Sequence, residues 1–167
     1  MGDLVVGRTG ARFGTRRLPC AIGRSGIRAR KREGDGATPA GLVHVVALLF
    51  RPDRIGRAAL PAWAEPIRPS DGWSDDPDDP AYNRLVRRPH HFSHERLRQG
   101  DPLYDLIVIT DYNWRDPRPG AGSAIFLHRW RRPRWPTEGC VAFAPDDLLW
   151  LAWRLRPGAR IVVQVAS

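Results

Sequence analysis

Apolar positions come in short blocks separated by glycine over the first third of the chain. Leu4 to Val6, Ala11 to Phe13 and Leu18 to Ile22 are cut by Gly7, Gly10, Gly14 and Gly23, the spacing of short strands joined by tight turns. A turn-rich loop, Glu33 to Gly41, leads into the near-continuous apolar run Leu42 to Phe50, which predicts a buried strand. Residues 51 to 102 are rich in Pro, Asp and Arg and predict a long insertion lying over the sheet. The segment Asp75-Asp76-Pro77-Asp78-Asp79-Pro80 is unable to hold a regular element, and one short helix is predicted from the N-cap Ser93 to Gly100. Tyr104 to Thr110 and Ser123 to Leu127 read as core strands. Pro145-Asp146-Asp147 opens a helix through Trp153, and Arg160 to Val165 forms a closing strand. The fold class is mainly β, a sandwich or mixed sheet with one or two short helices, over a single domain spanning 1–167.

Composition narrows the chemistry. A hydrophobic content of 42% is enough for a core without metals or disulfide staples, and two cysteines, Cys20 and Cys140, make no disulfide framework. The net charge of +9 is carried by arginine, because Lys31 is the one lysine in the chain. Such a balance fits a solvated basic surface, and it also fits attraction to an anionic polymer, so charge does not choose a partner. No basic segment followed by an apolar run marks the amino terminus as a secretory signal, and no apolar stretch approaches the roughly 20 residues of a membrane span.

Candidate chemistry gathers in Gly122 to His128 and Thr137 to Ala142. A histidine ends a buried strand, and twelve residues later (140 − 128 = 12) a cysteine follows a glycine in a loop shortly before the Pro145 helix. A cysteine nucleophile needs a base in reach and donors for the oxyanion of a tetrahedral intermediate. His128 can take the thiol proton, and the amides around Gly139 and Cys140 can face the oxyanion. The helix ahead and the cluster Arg129, Arg131, Arg132 and Arg134 predict a lowered thiol pKa. Taken singly, a strand-end histidine and a buried cysteine are ordinary structural residues. Their order, histidine before cysteine, differs from papain-like enzymes.

Two other patterns compete. Arg129 to Trp135 interleaves cations with indoles, the makeup of a nucleic-acid-binding surface, although its place between His128 and Cys140 favours an active-site rim. His90 and His94 are four apart, but Pro89 and Ser93 keep them off a shared helical face and no carboxylate completes a zinc set, so no metal is assigned.

The chain resembles the YkuD-like L,D-transpeptidases, in a compact form without accessory domains. That family carries a strand-end histidine, a downstream Ser/Thr-His-Gly-Cys motif and an upstream Thr-Pro-x-Gly turn. His128, Thr137, Gly139 and Cys140 match the first two, and Thr38, Pro39 and Gly41 match the third. Tyr82-Asn83, Tyr104-Asp105, Tyr112-Asn113 and Gly122 to Phe126 extend the likeness along the chain. Three departures stand out. Glu138 replaces the motif's histidine, Ala142 occupies a position usually held by arginine or asparagine, and the loop from His128 to Cys140 is short.

The resemblance implies a cysteine acyltransferase without cofactor. Cys140, His128 and Gly139 form its catalytic group, and Thr137, Glu138, Arg132, Arg134, Trp135, Tyr112 and Asn113 are the expected substrate-binding residues. Its partners are peptidoglycan stem peptides, donor and acceptor, met in the periplasm or cell envelope by a monomer. Transfer to water in place of an amine makes the same site an L,D-carboxypeptidase. On an extended path Arg132 and Arg134 face the cleft together, with Trp135 on the other side.

Overall fold

The computed structural model describes residues 2–165. The glycine-cut first third forms β1 (Leu4–Gly7), β2 (Gly10–Phe13), β3 (Arg16–Leu18), β4 (Cys20–Ala21), β5 (Ile27–Arg28) and β6 (Thr38–Pro39). The apolar run is β7 (Gly41–Phe50), followed by β8 (Ala64–Pro66), β9 (Asp71–Ser74), β10 (Leu85–Arg87) and β11 (His94–Arg96). The site-bearing half holds β12 (Leu106–Thr110), β13 (Phe126–Arg129), β14 (Val141–Phe143), helix α1 (Pro145–Ala152) and β15 (Arg160–Val163).

Ten strands make one mixed sheet in the order β3-β2-β1-β15-β7-β12-β13-β14-β4, with β8 paired to β7. Its two terminal strands, β3 and β4, are separated in sequence only by Pro19, so the sheet curls until it is nearly closed. Strands β1 and β15 pair in parallel, as do β13 and β14, while β12 runs antiparallel to both of its neighbours, β7 and β13.

Side chains alternate across a strand, and here the two faces feed two cores. Leu106, Val108, Leu127, Val141 and Phe143 point into the larger core, which α1 closes with Leu148, Leu151 and Ala152. Ile107, Ile109, Phe126 and Cys140 point into the smaller one, covered by Trp73, Leu97 and Tyr104. A three-stranded sheet, β10-β9-β11, roofs this second face. Residues 51 to 102 therefore supply the roof over the cysteine side of the sheet, while β8 joins the main sheet instead of lying on it.

Three expected elements differ. Leu18 to Ile22 is not one strand: Pro19 divides it between β3, paired with β2, and β4, paired with β14. Ser93 to Gly100 contains no helix: His94, Glu95 and Arg96 pair with Ser74, Trp73 and Gly72 of β9. A single short turn of helix nucleates poorly, and the open edge of β9 satisfies the same backbone groups more cheaply. Strand β13 starts at Phe126 and not at Ser123, because Ala124 has φ 52 and breaks the extended path. The helix at Pro145 forms as expected, with Pro in its first turn and Asp146 and Asp147 at its amino end. No helix among the described residues is long and apolar enough to cross a membrane.

Thr38-Pro39, expected as a turn, is strand β6, paired in parallel with β5, and Thr38 ties the neighbouring loops together. Thr38, fully buried, accepts from the Gly23 amide at 2.8 Å and donates to the Gly139 carbonyl at 2.8 Å. Replacing Thr38 with Val keeps the shape and leaves both backbone groups unpaired. At about 1–3 kcal/mol for each of the two groups, the loss is about 2–6 kcal/mol and lowers the melting temperature by roughly 4–24 °C. Thr38→Ser keeps the hydroxyl and recovers most of it, which calorimetry on the two variants checks.

Candidate active site

Register brings the histidine and the cysteine together. In the parallel pair β13 and β14, Leu127 lies beside Val141 and His128 beside Ala142. One step back along both strands, Phe126 is next to Cys140, and the Phe126 amide donates to Cys140 Sγ at 3.4 Å. With a period of two, Phe126, His128, Cys140 and Ala142 share a face. That face opens into a cleft of about 410 Å³ lined by His128, Gly139, Cys140 and Ala142 among others. The cysteine precedes a strand and not the helix directly, since β14 stands between Cys140 and α1.

The Gly139-Cys140 loop is set by close backbone packing. Gly139 has φ +148, and a Cβ there would lie 2.9 Å from the Ala37 carbonyl oxygen and 3.3 Å from Ile125 Cδ1. Only glycine fits. Thr137 Oγ1 donates to the Cys140 carbonyl at 2.6 Å and accepts from the Gly139 amide at 3.1 Å, closing the turn. On its outer side the same loop pairs with residues 22–24, through Thr137 N to Ile22 O at 3.0 Å and Arg24 N to Thr137 O at 2.8 Å.

Burial dominates the electrostatics. Cys140 is 9% exposed and its thiol is pushed up to about 12, mainly by desolvation and further by Glu95, against the Phe126 amide and Lys31. The expected lowering by the arginine loop is not found. Those guanidiniums sit in solvent, while the thiol sits in the smaller core. The Sγ–H donates to the Ala124 carbonyl at 3.0 Å. His128 is 6% exposed and burial brings it down to about 4. Its Nδ1 lies 2.7 Å from the Arg129 carbonyl oxygen. A carbonyl only accepts, so the proton resides on Nδ1 and Nε2 is left as the basic nitrogen. The ring packs edge-on against Tyr104, with centroids 5.4 Å apart. At neutral pH the resting site therefore holds a neutral thiol and a neutral imidazole.

Of the expected substrate-binding residues, Thr137, Glu138 and Trp135 line the cleft, whereas Arg132, Arg134, Tyr112 and Asn113 do not. The arginine loop turns instead of running extended: Trp135 N donates to Arg132 O at 3.0 Å and Arg134 has φ 60. Arg132 stacks on the Trp135 ring and Arg134 Nη1 reaches Thr9 O at 3.2 Å, so of the loop arginines Arg131 lines the cleft, with its Nη2 3.5 Å from Asp101 Oδ2. Tyr112 Oη donates to Ala121 O at 2.8 Å, and Asn113 Nδ2 donates to Gly122 O at 2.8 Å; both brace the loop in front of β13. Glu138 pairs with Arg24 Nε at 3.0 Å and is mostly exposed, tying the Gly139-Cys140 loop to the neighbouring one.

Several cleft residues escaped sequence reasoning. Lys31 Nζ is buried and paired with Asp35, and its stem lies against Gly139 and Gly122; its being the one lysine was the available signal. Glu95 accepts from Tyr104 Oη at 2.6 Å, and both line the cleft. His90, by contrast, is committed to Asp79 Oδ2 at 2.6 Å and His94 Nδ1 to Phe92 O at 2.7 Å. Among the described residues no three or more His, Cys, Asp or Glu side chains are grouped to hold a metal ion.

Comparison with known proteins places this geometry in a family. No curated protein matches the chain. An L,D-transpeptidase from Mycobacterium smegmatis is 16% identical with a TM-score of 0.46, over 98% of this chain and 58% of that one. The L,D-transpeptidase from Xylanimonas cellulosilytica DSM 15894 is 14% identical with a TM-score of 0.43, over 98% of this chain and 60% of that one. The chain thus spans less than two thirds of either structure. The model of the YkuD family, the L,D-transpeptidase catalytic domain, matches residues 5–163, and the chain belongs to that family.

Proposed function

We propose that the protein is a peptidoglycan L,D-transpeptidase of the cell envelope that works through a thioester on Cys140. The observation that carries this reading is the shared face of β13 and β14, which opens a buried thiol and an imidazole with a free Nε2 into one cleft. A donor stem peptide lies with the carbonyl of its L-centre at Cys140. The thiol proton passes to His128 Nε2 as sulfur attacks, the C–N bond to the D-residue breaks, and the departing amine takes the proton from the imidazolium. The amine of a second stem peptide then attacks the thioester and gives a proton to His128. The C–S bond breaks and the thiolate recovers that proton. Water in place of the amine gives L,D-carboxypeptidase activity.

The Gly139 amide is occupied by Thr137 Oγ1, so the Cys140 amide is the donor we assign to the oxyanion. Arg131 takes over the carboxylate role expected of Arg132 and Arg134, because its planar fork suits a carboxylate and it lines the cleft. Trp130 and Trp135 line the same cleft beside it, which supports an active-site rim in place of a nucleic-acid surface.

Cys140→Ser abolishes D-residue release from a tetrapeptide stem, while Cys20→Ser, altering a buried free thiol on β4 outside this cleft, leaves it nearly intact. Mass spectrometry of stem peptides incubated with each variant decides this, and equal loss in both folded variants counts against the assignment.

His128→Ala slows acyl-enzyme formation at least about a hundredfold, the lower range for a positioned acid/base. Single-turnover thioester formation measures it.

Imidazole is basic above about 4 and the thiol holds its proton below about 12, so the neutral pair prevails between them. The kcat/KM for the donor is then level from pH 5.5 to 9. A bell centred near neutrality in a rate profile would instead mean an ion pair in the free enzyme.

A further inference from the structure

The non-glycine residues with positive φ among those described are Asn83, Asn113, Ala124 and Arg134, at 57°, 48°, 52° and 60°. The first three are joined by hydrogen bonds behind the nucleophile. Asn83 is 2% exposed and uses its whole amide. Its Oδ1 accepts from Trp73 Nε1 at 2.8 Å and from the Ala124 amide at 3.1 Å. Its Nδ2 donates to Tyr112 O at 3.0 Å and Asn113 O at 2.7 Å. Two donors and two acceptor positions are all that an asparagine side chain has, so it is saturated.

Ala124 is the residue whose carbonyl accepts the Cys140 thiol proton. Alanine has no local side-chain bond to offset a left-handed conformation, which L-residues disfavour, so its backbone has to be held from outside. Held there, the carbonyl dipole faces the sulfur. That arrangement favours the neutral thiol and opposes a thiolate at the same spot.

We propose that Asn83 is a positioning residue for the nucleophile: it holds the amide of left-handed Ala124, the residue whose carbonyl, on the following peptide, parks the Cys140 thiol in its protonated, aligned state. The inference rests on the reading of Cys140 as nucleophile. Asn83 itself lies in the turn before β10, and its hydrogen bonds go to Trp73, Tyr112, Asn113 and Ala124, not to Cys140 or His128. Its effect passes through Ala124.

The test is site-resolved alkylation by iodoacetamide, read by peptide mass spectrometry from pH 6 to 10, with Cys20 as internal control. It needs no donor, so it is independent of whether stem peptides acylate the enzyme; failure of the transpeptidase reading shows separately as absent thioester with a tetrapeptide donor. In the wild type the Cys140 rate climbs about tenfold per pH unit without a plateau, as for a thiol titrating far above the range. In folded Asn83→Ala the clamp is gone, and Cys140 reacts at least tenfold faster at pH 8 with its profile shifted to lower pH, while Cys20 is unchanged. A folded variant with the wild-type Cys140 profile overturns the proposal, as does equal acceleration at both cysteines. Should Asn83→Ala not fold, hydrogen exchange in the wild type decides. The Ala124 amide exchanges at least a hundredfold more slowly than an unstructured peptide if Asn83 holds it, and exchange at the free-peptide rate overturns the clamp.

Discussion

One buried hydroxyl ties the amino-terminal loops to the Gly139-Cys140 loop. Thr38 Oγ1 stands between the Gly23 amide and the Gly139 carbonyl, 2.8 Å from each, and both belong to segments far from it in sequence. For a single oxygen to serve both, the backbones must approach without side chains between them. A Cβ on Gly23 would lie 2.3 Å from Gly36 O, and one on Gly139 would lie 2.9 Å from Ala37 O. The two glycines and the threonine are therefore parts of one requirement. Given that contact, Cys140 leaves Gly139 on a path that runs directly into β14, and its side chain falls on the same face as His128.

The face it falls on decides its chemistry. Alternation along β12, β13 and β14 sorts neighbours into two cores, and the cysteine shares its core with Phe126, Ile107 and Tyr104 rather than with the α1 helix. A thiol and an imidazole enclosed by apolar groups are both held neutral, whatever the charge on the surface. The net +9 of the chain and the four arginines between His128 and Cys140 act from solvent, where water screens them. The carboxylate of Glu95 and the ammonium of Lys31, both on the cleft wall, bear on the thiol in opposite directions.

Glycine punctuation, apolar runs and the Pro145-Asp146-Asp147 opening were enough to place β1, β2, β7, β12, α1 and β15, because each is a local pattern with a local cause. The same holds for the candidate pair: a strand-end His128 and Gly139-Cys140 stand out as types and spacing. Segments whose structure is settled by a partner were not legible. Ser93 to Gly100 is short enough to form either a turn of helix or a strand, and the free edge of β9 selects the strand. Arg132 and Arg134 fit an extended path on paper, yet a turn with Arg134 in the left-handed region carries them out of the cleft and leaves Arg131 there.

What the sequence determined by itself was the mainly β class and the cysteine and histidine types, since these rest on periodicity and on residue chemistry that no packing can change. Tertiary structure alone decided the burial that keeps the pair neutral, which arginine of the loop lines the cleft and the hydrogen-bond partners of Asn83. Those depend on distances between segments tens of residues apart, such as Asn83 to Ala124 and Thr38 to Gly139, and on how much water remains around a buried charge. Neither quantity is encoded in any local window of the chain.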